Sequence, residues 1–159
     1  MHPDLTDQDV TLLRSLPIAV VSTAALVEVT GGQCTMAELL AGLRGILEAD
    51  ASLDNRLIAL AFEAYSADGA GEAELFALCQ DPPPDLRETT LRRCREASVH
   101  FGVAPDEWAG LRRWLLDLAT AVVEASTTGG FLGLGGERVT EGEAALLADL
   151  AAALGAVEA

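Results

Sequence analysis

The amino-acid sequence predicts an all-α fold, a single-domain bundle of seven to eight helices. Half of the residues are apolar but aromatic residues make up only 4%, so the core must consist mainly of Leu, Ala and Val. Ala and Leu have high helix propensities and pack well between helices. Apolar positions recur every three or four residues, and no segment alternates with period two for long enough to form a strand.

Helix start signals divide the chain into elements. Capping boxes, in which a Thr is followed three residues later by an acidic residue, predict helix starts at Thr6, Thr35 and Thr140. Pro17 is tolerated in a first turn, so the segment Leu16–Val29 is expected to be a second helix or a kinked continuation of the first. This segment is apolar on nearly all sides, which predicts a central, buried helix. In order, the predicted helices run from Thr6 to about Ser15, over Leu16–Val29, from Thr35 to about Ala49, from Ser52 or Asp54 to the break at Asp68–Gly71, over 72–80, from Asp85 through Phe101, from Pro105 through Ala125, and over Glu141–Leu154.

Length and charge limit the function classes. The chain of 159 residues is long enough for one domain with a sizeable core, so residues 1–159 are assigned to a single domain. Its net charge is −15, and every positive side chain is Arg. An anionic protein repels nucleic-acid phosphates and anionic lipid headgroups, which excludes nucleic acid as a partner. A basic protein partner and metal ions remain open.

The cysteines and the N-terminus predict a cytoplasmic protein. Cys34, Cys79 and Cys94 are odd in number and widely spaced, so we expect neither a disulfide framework nor a zinc site. The first residues are acidic, where a signal peptide requires positive charge. The most apolar run, Leu16–Val29, is shorter than the ~20 residues that span a bilayer. No transmembrane segment is therefore expected, although peripheral contact with a membrane stays open.

Two stretches of the chain share one plan. In each, a helix ends in Val-Glu, a glycine loop follows, and a Thr-x-x-Glu capping box begins an Ala- and Leu-rich helix. The first stretch lies at 24–41 and the second at 120–146. The similarity predicts an internal duplication of a helix–loop–helix unit, with halves at roughly 6–80 and 85–155.

These two units, together with the segment Gly135–Leu147, resemble the TerB-like family of tellurite-resistance and stress proteins. The resemblance implies an all-helical duplicated bundle, a role in bacterial stress response or tellurite resistance, and association with membrane-linked complexes rather than an enzyme activity. Members commonly carry an Asp-x-Asp-Gly loop after the central helix. The corresponding segments here, Glu28–Gly32 and Glu124–Thr127, lack these aspartates, which argues against a metal site like the family's.

The glycine-rich loop before the last helix is the predicted partner-binding site. It places three large apolar residues among five glycines, and glycine allows the backbone to approach other groups closely. Two interpretations remain open: the loop packs into its own bundle, or it is an exposed apolar finger for a partner or a membrane interface. A phosphate-binding loop is disfavoured because the following Lys-Ser/Thr is missing. The candidate residues are Gly130, Phe131, Leu132, Gly133 and Leu134.

Metal binding is the alternative function. Glu28 with Glu38, or Glu124 with Glu143, could bring carboxylates together across each loop. Calcium requires six to eight oxygen ligands, and neither loop supplies them. The sequence therefore assigns no metal ligand beyond these weak candidates, and an acidic metal-ion-binding protein is kept only as the alternative.

No catalytic machinery is recognisable. His100 is the only internal histidine, and no Ser or Cys motif or carboxylate dyad accompanies it. We therefore expect no enzyme and no cofactor. The predicted function is a helical protein-interaction or scaffold module that acts through its loop and one apolar groove. Neither the partner nor the oligomeric state follows from the sequence.

Overall fold

The computed structural model of the chain describes residues 4–27, 36–49, 54–128 and 139–155. Over these residues the fold is all-helical and contains no strand, which confirms the predicted all-α class. The predicted number of seven to eight helices stays a prediction. The helices are α1 (Asp7–Leu26), α2 (Met36–Leu47), α3 (Arg56–Ser66), α4 (Ala70–Gln80), α5 (Leu86–Phe101), α6 (Pro105–Thr128) and α7 (Glu141–Ala153), with a 3-10 turn at Ala67–Gly69 between α3 and α4.

Helix α1 forms the centre of the bundle and packs against α2, α3, α4, α5 and α6. Every residue from Leu16 to Ala25 is buried, so this part of the helix has no solvated face. Of the two alternatives at Pro17, the separate second helix is wrong, because one continuous helix passes through this residue. Proline removes one backbone hydrogen bond, but burial on all sides offsets that loss.

Helix α5 runs antiparallel to α1, and two polar contacts show this. Near the end of α1, the hydroxyls of Thr23 and Thr90 lie 2.7 Å apart in the buried core. Near the start of α1, Asp9 contacts His100 in the last turn of α5. The first turn of α1 therefore lies beside the last turn of α5.

Helix α2 lies close to α1 and α6 because two glycines face them. A Cβ atom on Gly42 would stand 2.3 Å from a methyl carbon of Val21 on α1. A Cβ atom on Gly45 would stand 2.5 Å from a methyl carbon of Leu118 on α6. Neither position can accept a side chain without movement of its neighbours.

Two of the predicted capping boxes are confirmed. At the start of α1, the N–H of Thr6 donates to Asp9 Oδ2 at 2.7 Å, and the N–H of Asp9 donates to the Thr6 hydroxyl at 3.3 Å. At the start of α7, the same exchange joins Thr140 and Glu143 at 2.9 and 3.1 Å. Short polar side chains thus satisfy backbone N–H groups that have no helical partner.

Other helix starts differ from the prediction. Asn55 caps α3, rather than Ser52 or Asp54; its side chain accepts from the N–H of Ile58 at 3.1 Å. Asp85 precedes α5 but makes no side-chain cap there. The predicted capping box at Thr35 lies outside the described residues.

The break after α3 is confirmed, and its cause is local. Asp68 and Gly69 follow one another with φ of 55° and 69°. This left-handed backbone conformation cannot continue a right-handed helix, and glycine adopts it without strain. The chain turns there and begins α4 at Ala70.

The expectation that the cysteines form no disulfide is wrong for Cys79, which is disulfide-bonded. Its bonding partner lies outside the described residues. Cys94 is free and buried on α5, where burial raises the pKa of its thiol to about 12. Cysteines far apart in sequence can meet in space, so their spacing did not exclude a bond. A disulfide is also more typical of an oxidising compartment than of the cytoplasm.

Within the described part of the chain, α1 has the length and composition of a membrane-spanning helix, with a mean hydropathy of 1.4. It is longer than the apolar run expected from the sequence because it continues through Pro17. In the fold, 61% of its apolar window is buried. A buried core helix has the same length and hydropathy, so these properties are weak evidence for a membrane span.

The two units of the predicted duplication pack differently. Helix α2 packs mainly against α6 and also against α1, whereas α7 packs against α5 and α6. The internal duplication and the halves 6–80 and 85–155 therefore stay predictions.

The close packing of α2 predicts that Gly42→Ala destabilises the fold by about 1–3 kcal/mol, because the added methyl group overpacks the contact with Val21. Urea unfolding followed by circular dichroism measures this change. In a Val21→Ala background the same substitution is expected to cost less, since the clashing methyl groups are gone. Equal costs in both backgrounds would show that Val21 does not limit the space at Gly42.

Candidate functional site

A groove opens at the end of the bundle where the starts of α1, α3 and α6 meet the end of α5. Its volume is about 590 Å³, within the ~300–1,000 Å³ typical of ligand pockets. The described residues that line it are Asp4, Leu5, Thr6, Asp9, Arg56, Leu57, Glu96, Val99, His100, Phe101, Val103, Ala104 and Glu107.

Most of the groove surface is apolar. Leu57 and Phe101 are buried, and the Phe101 ring stacks on Trp108 with ring centroids 6.5 Å apart. Val99 and Val103, by contrast, are 81% and 77% exposed, the highest values among the large apolar side chains of the described residues. The groove thus combines a packed apolar base with two uncovered valines.

A carboxylate–histidine pair lies in the groove. Asp9 Oδ1 is 2.5 Å from His100 Nε2, and Asp9 Oδ2 accepts from the backbone N–H and the hydroxyl of Thr6 at 2.7 and 2.9 Å. Asp9 is nearly buried, while about half of the His100 side chain is exposed. The Asp9 carboxylate therefore holds the start of α1 to the end of α5.

The environment of Asp9 favours its charged form. The hydrogen bond from the Thr6 backbone N–H is the main cause that lowers the pKa of the Asp9 carboxyl below its ordinary value of 3.8. Burial acts in the opposite direction, and the Thr6 hydroxyl and His100 add to the lowering. Asp9 remains a carboxylate at neutral pH.

A histidine oriented by a carboxylate is also a component of catalytic triads, in which it activates a nucleophile. Among the described residues that line this groove there is no Ser or Cys. Thr6 carries a hydroxyl there, and that hydroxyl donates to Asp9 rather than to His100. The geometry of the pair is that of a structural contact between two helices.

The charged residues around the groove are mainly acidic. Asp4 and Glu96 are exposed, and Glu107 lies in the first turn of α6. Of the described residues that line the groove, only Arg56 is an arginine. The backbone carbonyl of Glu107 accepts from the side-chain amide of Asn55 at 2.8 Å, which joins the start of α3 to the start of α6.

The predicted partner-binding residues Gly130, Phe131, Leu132, Gly133 and Leu134 lie outside the described residues. Whether they pack into the bundle or project from it stays open.

Three of the four weak metal candidates lie in the described residues. Glu38 and Glu143 are buried, and Glu143 takes part in the capping box with Thr140. Glu124 is exposed on α6, and Glu28 lies outside the described residues. Over the described ranges, no group of three or more His, Cys, Asp or Glu side chains could hold a metal ion.

Only one feature of the amino-acid sequence indicates this groove. Asp9 and His100 are 91 positions apart, and nothing in one sequence pairs them. Val99, however, falls outside the apolar face of α5 formed by Cys94, Ala97 and Phe101. A valine off the core face of a helix indicates exposed apolar surface.

The Asp9 contacts predict a pH-dependent contribution to stability. The pKa of Asp9 is lower in the folded chain, so its carboxylate stabilises the fold above pH 3.8, and this stabilisation is lost as the pH falls through the folded-state pKa. We expect Asp9→Asn to lower the melting temperature at neutral pH, with a difference from the wild type that shrinks below pH 3.8. Thermal unfolding across pH measures it. Asp7→Asn, an exposed position in the same turn, is the control. A difference that stays constant down to strongly acidic pH contradicts the assignment.

Comparison of the chain with protein-family models, with curated proteins and with solved structures finds no match.

Proposed function

We propose that this protein is a non-catalytic protein-interaction module, and that the groove at the start of α1 and the end of α5 receives an apolar anchor from a protein partner. The observation that carries the proposal is the exposure of Val99 and Val103 at the edge of an apolar groove of about 590 Å³. Large apolar side chains that stay exposed together beside a groove are typical of binding surfaces.

The polar groups of the groove support binding rather than catalysis. Asp9 is engaged by Thr6 and His100, which makes the pair part of the framework. The stacked rings of Phe101 and Trp108 hold the base of the groove in place. A rigid base reduces the entropy lost when a partner binds.

A relation to TerB-like proteins, and with it a role as a bacterial stress-response or tellurite-resistance accessory, is part of this proposal. It is supported by the all-helical fold and by the capping box that begins α7, the segment in which the resemblance is most specific. The internal duplication belongs to the same proposal.

The proposal predicts that Val99→Ser with Val103→Ser abolishes partner capture while leaving the stability within about 0.5 kcal/mol of the wild type, because both side chains are exposed. Affinity capture from the native host, followed by mass spectrometry, compares the variant with the wild type. The matched control is Leu40→Ser with Leu47→Ser, which removes two exposed leucines from α2.

The expected result is a set of proteins captured by the wild type and by the α2 control and missing from the groove variant. If all three chains capture the same proteins, or if only the α2 control loses them, the groove is not the interaction site.

A further inference from the structure

We infer that the occupant of the groove is a cationic, amphipathic α-helix of a partner protein. This inference rests on the proposed function, because it specifies the chemistry of the anchor that the groove receives. Three features of the described residues support it: the absence of a strand edge, the shape of the surface between α1 and α5, and the sign of its charge.

The fold favours a helical occupant over an extended one. Extended peptides usually bind by adding a strand to an exposed sheet edge, which pairs their backbone N–H and C=O groups. The described residues contain no strand. A helix satisfies its own backbone hydrogen bonds and can therefore place apolar side chains against Val99 and Val103 without leaving buried polar groups unpaired.

The surface continues beyond the groove along the pair α1 and α5. A second, shallower depression of about 410 Å³ lies beside it, and Glu96 lines both. The described residues that line this depression are Asp7, Gln8, Thr11, Leu12, Ser15, Arg93 and Glu96. Together the two depressions form a path along neighbouring helices, which suits an elongated occupant better than a single inserted side chain.

The charge along this path selects a cationic partner. Asp4 lies in the groove, Asp7 in the second depression, and Glu96 borders both; all three are exposed. Of the described residues that line the two depressions, only Arg56 and Arg93 are arginines. The whole chain carries a net charge of −15, so a cationic partner is attracted at long range, and a second copy of this chain or an anionic lipid surface is repelled.

The partner helix makes two kinds of contact, apolar contacts and ion pairs. Val99 and Val103 receive the apolar face of the helix, and burial of that face supplies most of the affinity. The exposed carboxylates of Asp4 and Glu96 face its Lys or Arg side chains at the edge of the contact. Such solvated ion pairs add modest affinity, speed association and weaken as salt screens them.

A peptide selection tests this inference on the full chain. The probe is a phage-displayed library of randomised peptides of helical length, selected on the wild-type protein and depleted on the Val99→Ser/Val103→Ser variant. We expect the enriched peptides to have apolar residues at i, i+3 or i+4, and i+7, with Lys or Arg on the flanking positions.

One enriched peptide, synthesised with a fluorophore, then gives dissociation constants by anisotropy. Asp4→Asn with Glu96→Gln is expected to weaken binding about three- to tenfold, with a shallower dependence on salt than the wild type. The control Glu63→Gln with Glu88→Gln removes the same number of charges from exposed positions outside both depressions and should weaken binding less.

The outcomes separate the inference from the function on which it rests. Groove-dependent peptides that are neutral, acidic or proline-rich, or equal effects of the two charge variants, overturn the cationic helix but leave the groove as a binding site. If no enriched peptide distinguishes the wild type from the valine variant, the groove binds no apolar anchor, and the proposed function fails as well.

Discussion

The structure depends on the burial of one helix. From Leu16 to Ala25 every residue of α1 is buried, and this requires neighbours on every side. Helices α2 to α6 supply them. The apolar residues of the chain are mostly small and aliphatic, so this arrangement is held by close packing rather than by large aromatic anchors. The glycines of α2 belong to the same constraint, because a side chain at Gly42 would displace α2 from α1.

The candidate site is a consequence of this packing. Helix α5 packs antiparallel to α1, so Thr90 meets Thr23 and the last turn of α5 meets the first turn of α1. Asp9 joins the two helix ends by accepting from Thr6 and contacting His100. Beyond this contact the bundle ends, and Val99 is left uncovered. The groove therefore has hydrogen-bonded polar groups where α1 meets α5 and an apolar surface where the core face of α5 ends at the solvent.

Local chemistry made part of the fold predictable. A few neighbouring residues are enough to predict four features: the capping boxes at Thr6 and Thr140, the turn at Asp68, and the start of α6 at Pro105. At Pro17 the local rules left a second helix and a continuation of the first open, and burial that only the tertiary structure creates favours one continuous helix.

Long-range contacts account for what the sequence could not reveal. The pairing of Asp9 with His100 depends on two helices that meet only in the folded chain. The disulfide of Cys79 likewise did not follow from the spacing of the cysteines. Of the site, only the exposed apolar surface at Val99 was open to prediction, from its position outside the core face of α5. The net charge of −15 made an acidic surface predictable. It did not predict that Asp4 and Glu96 lie beside the same groove.

If the bundle depends on the burial of α1, this helix is the most protected element of one cooperative core, and native-state amide hydrogen exchange measures that protection. We expect the amides from Ile18 to Ala25 to exchange only by global unfolding, with the highest protection in the chain and with the same denaturant dependence as equilibrium unfolding. Exchange of these amides through a local opening, at a free energy well below that of global unfolding, would contradict it.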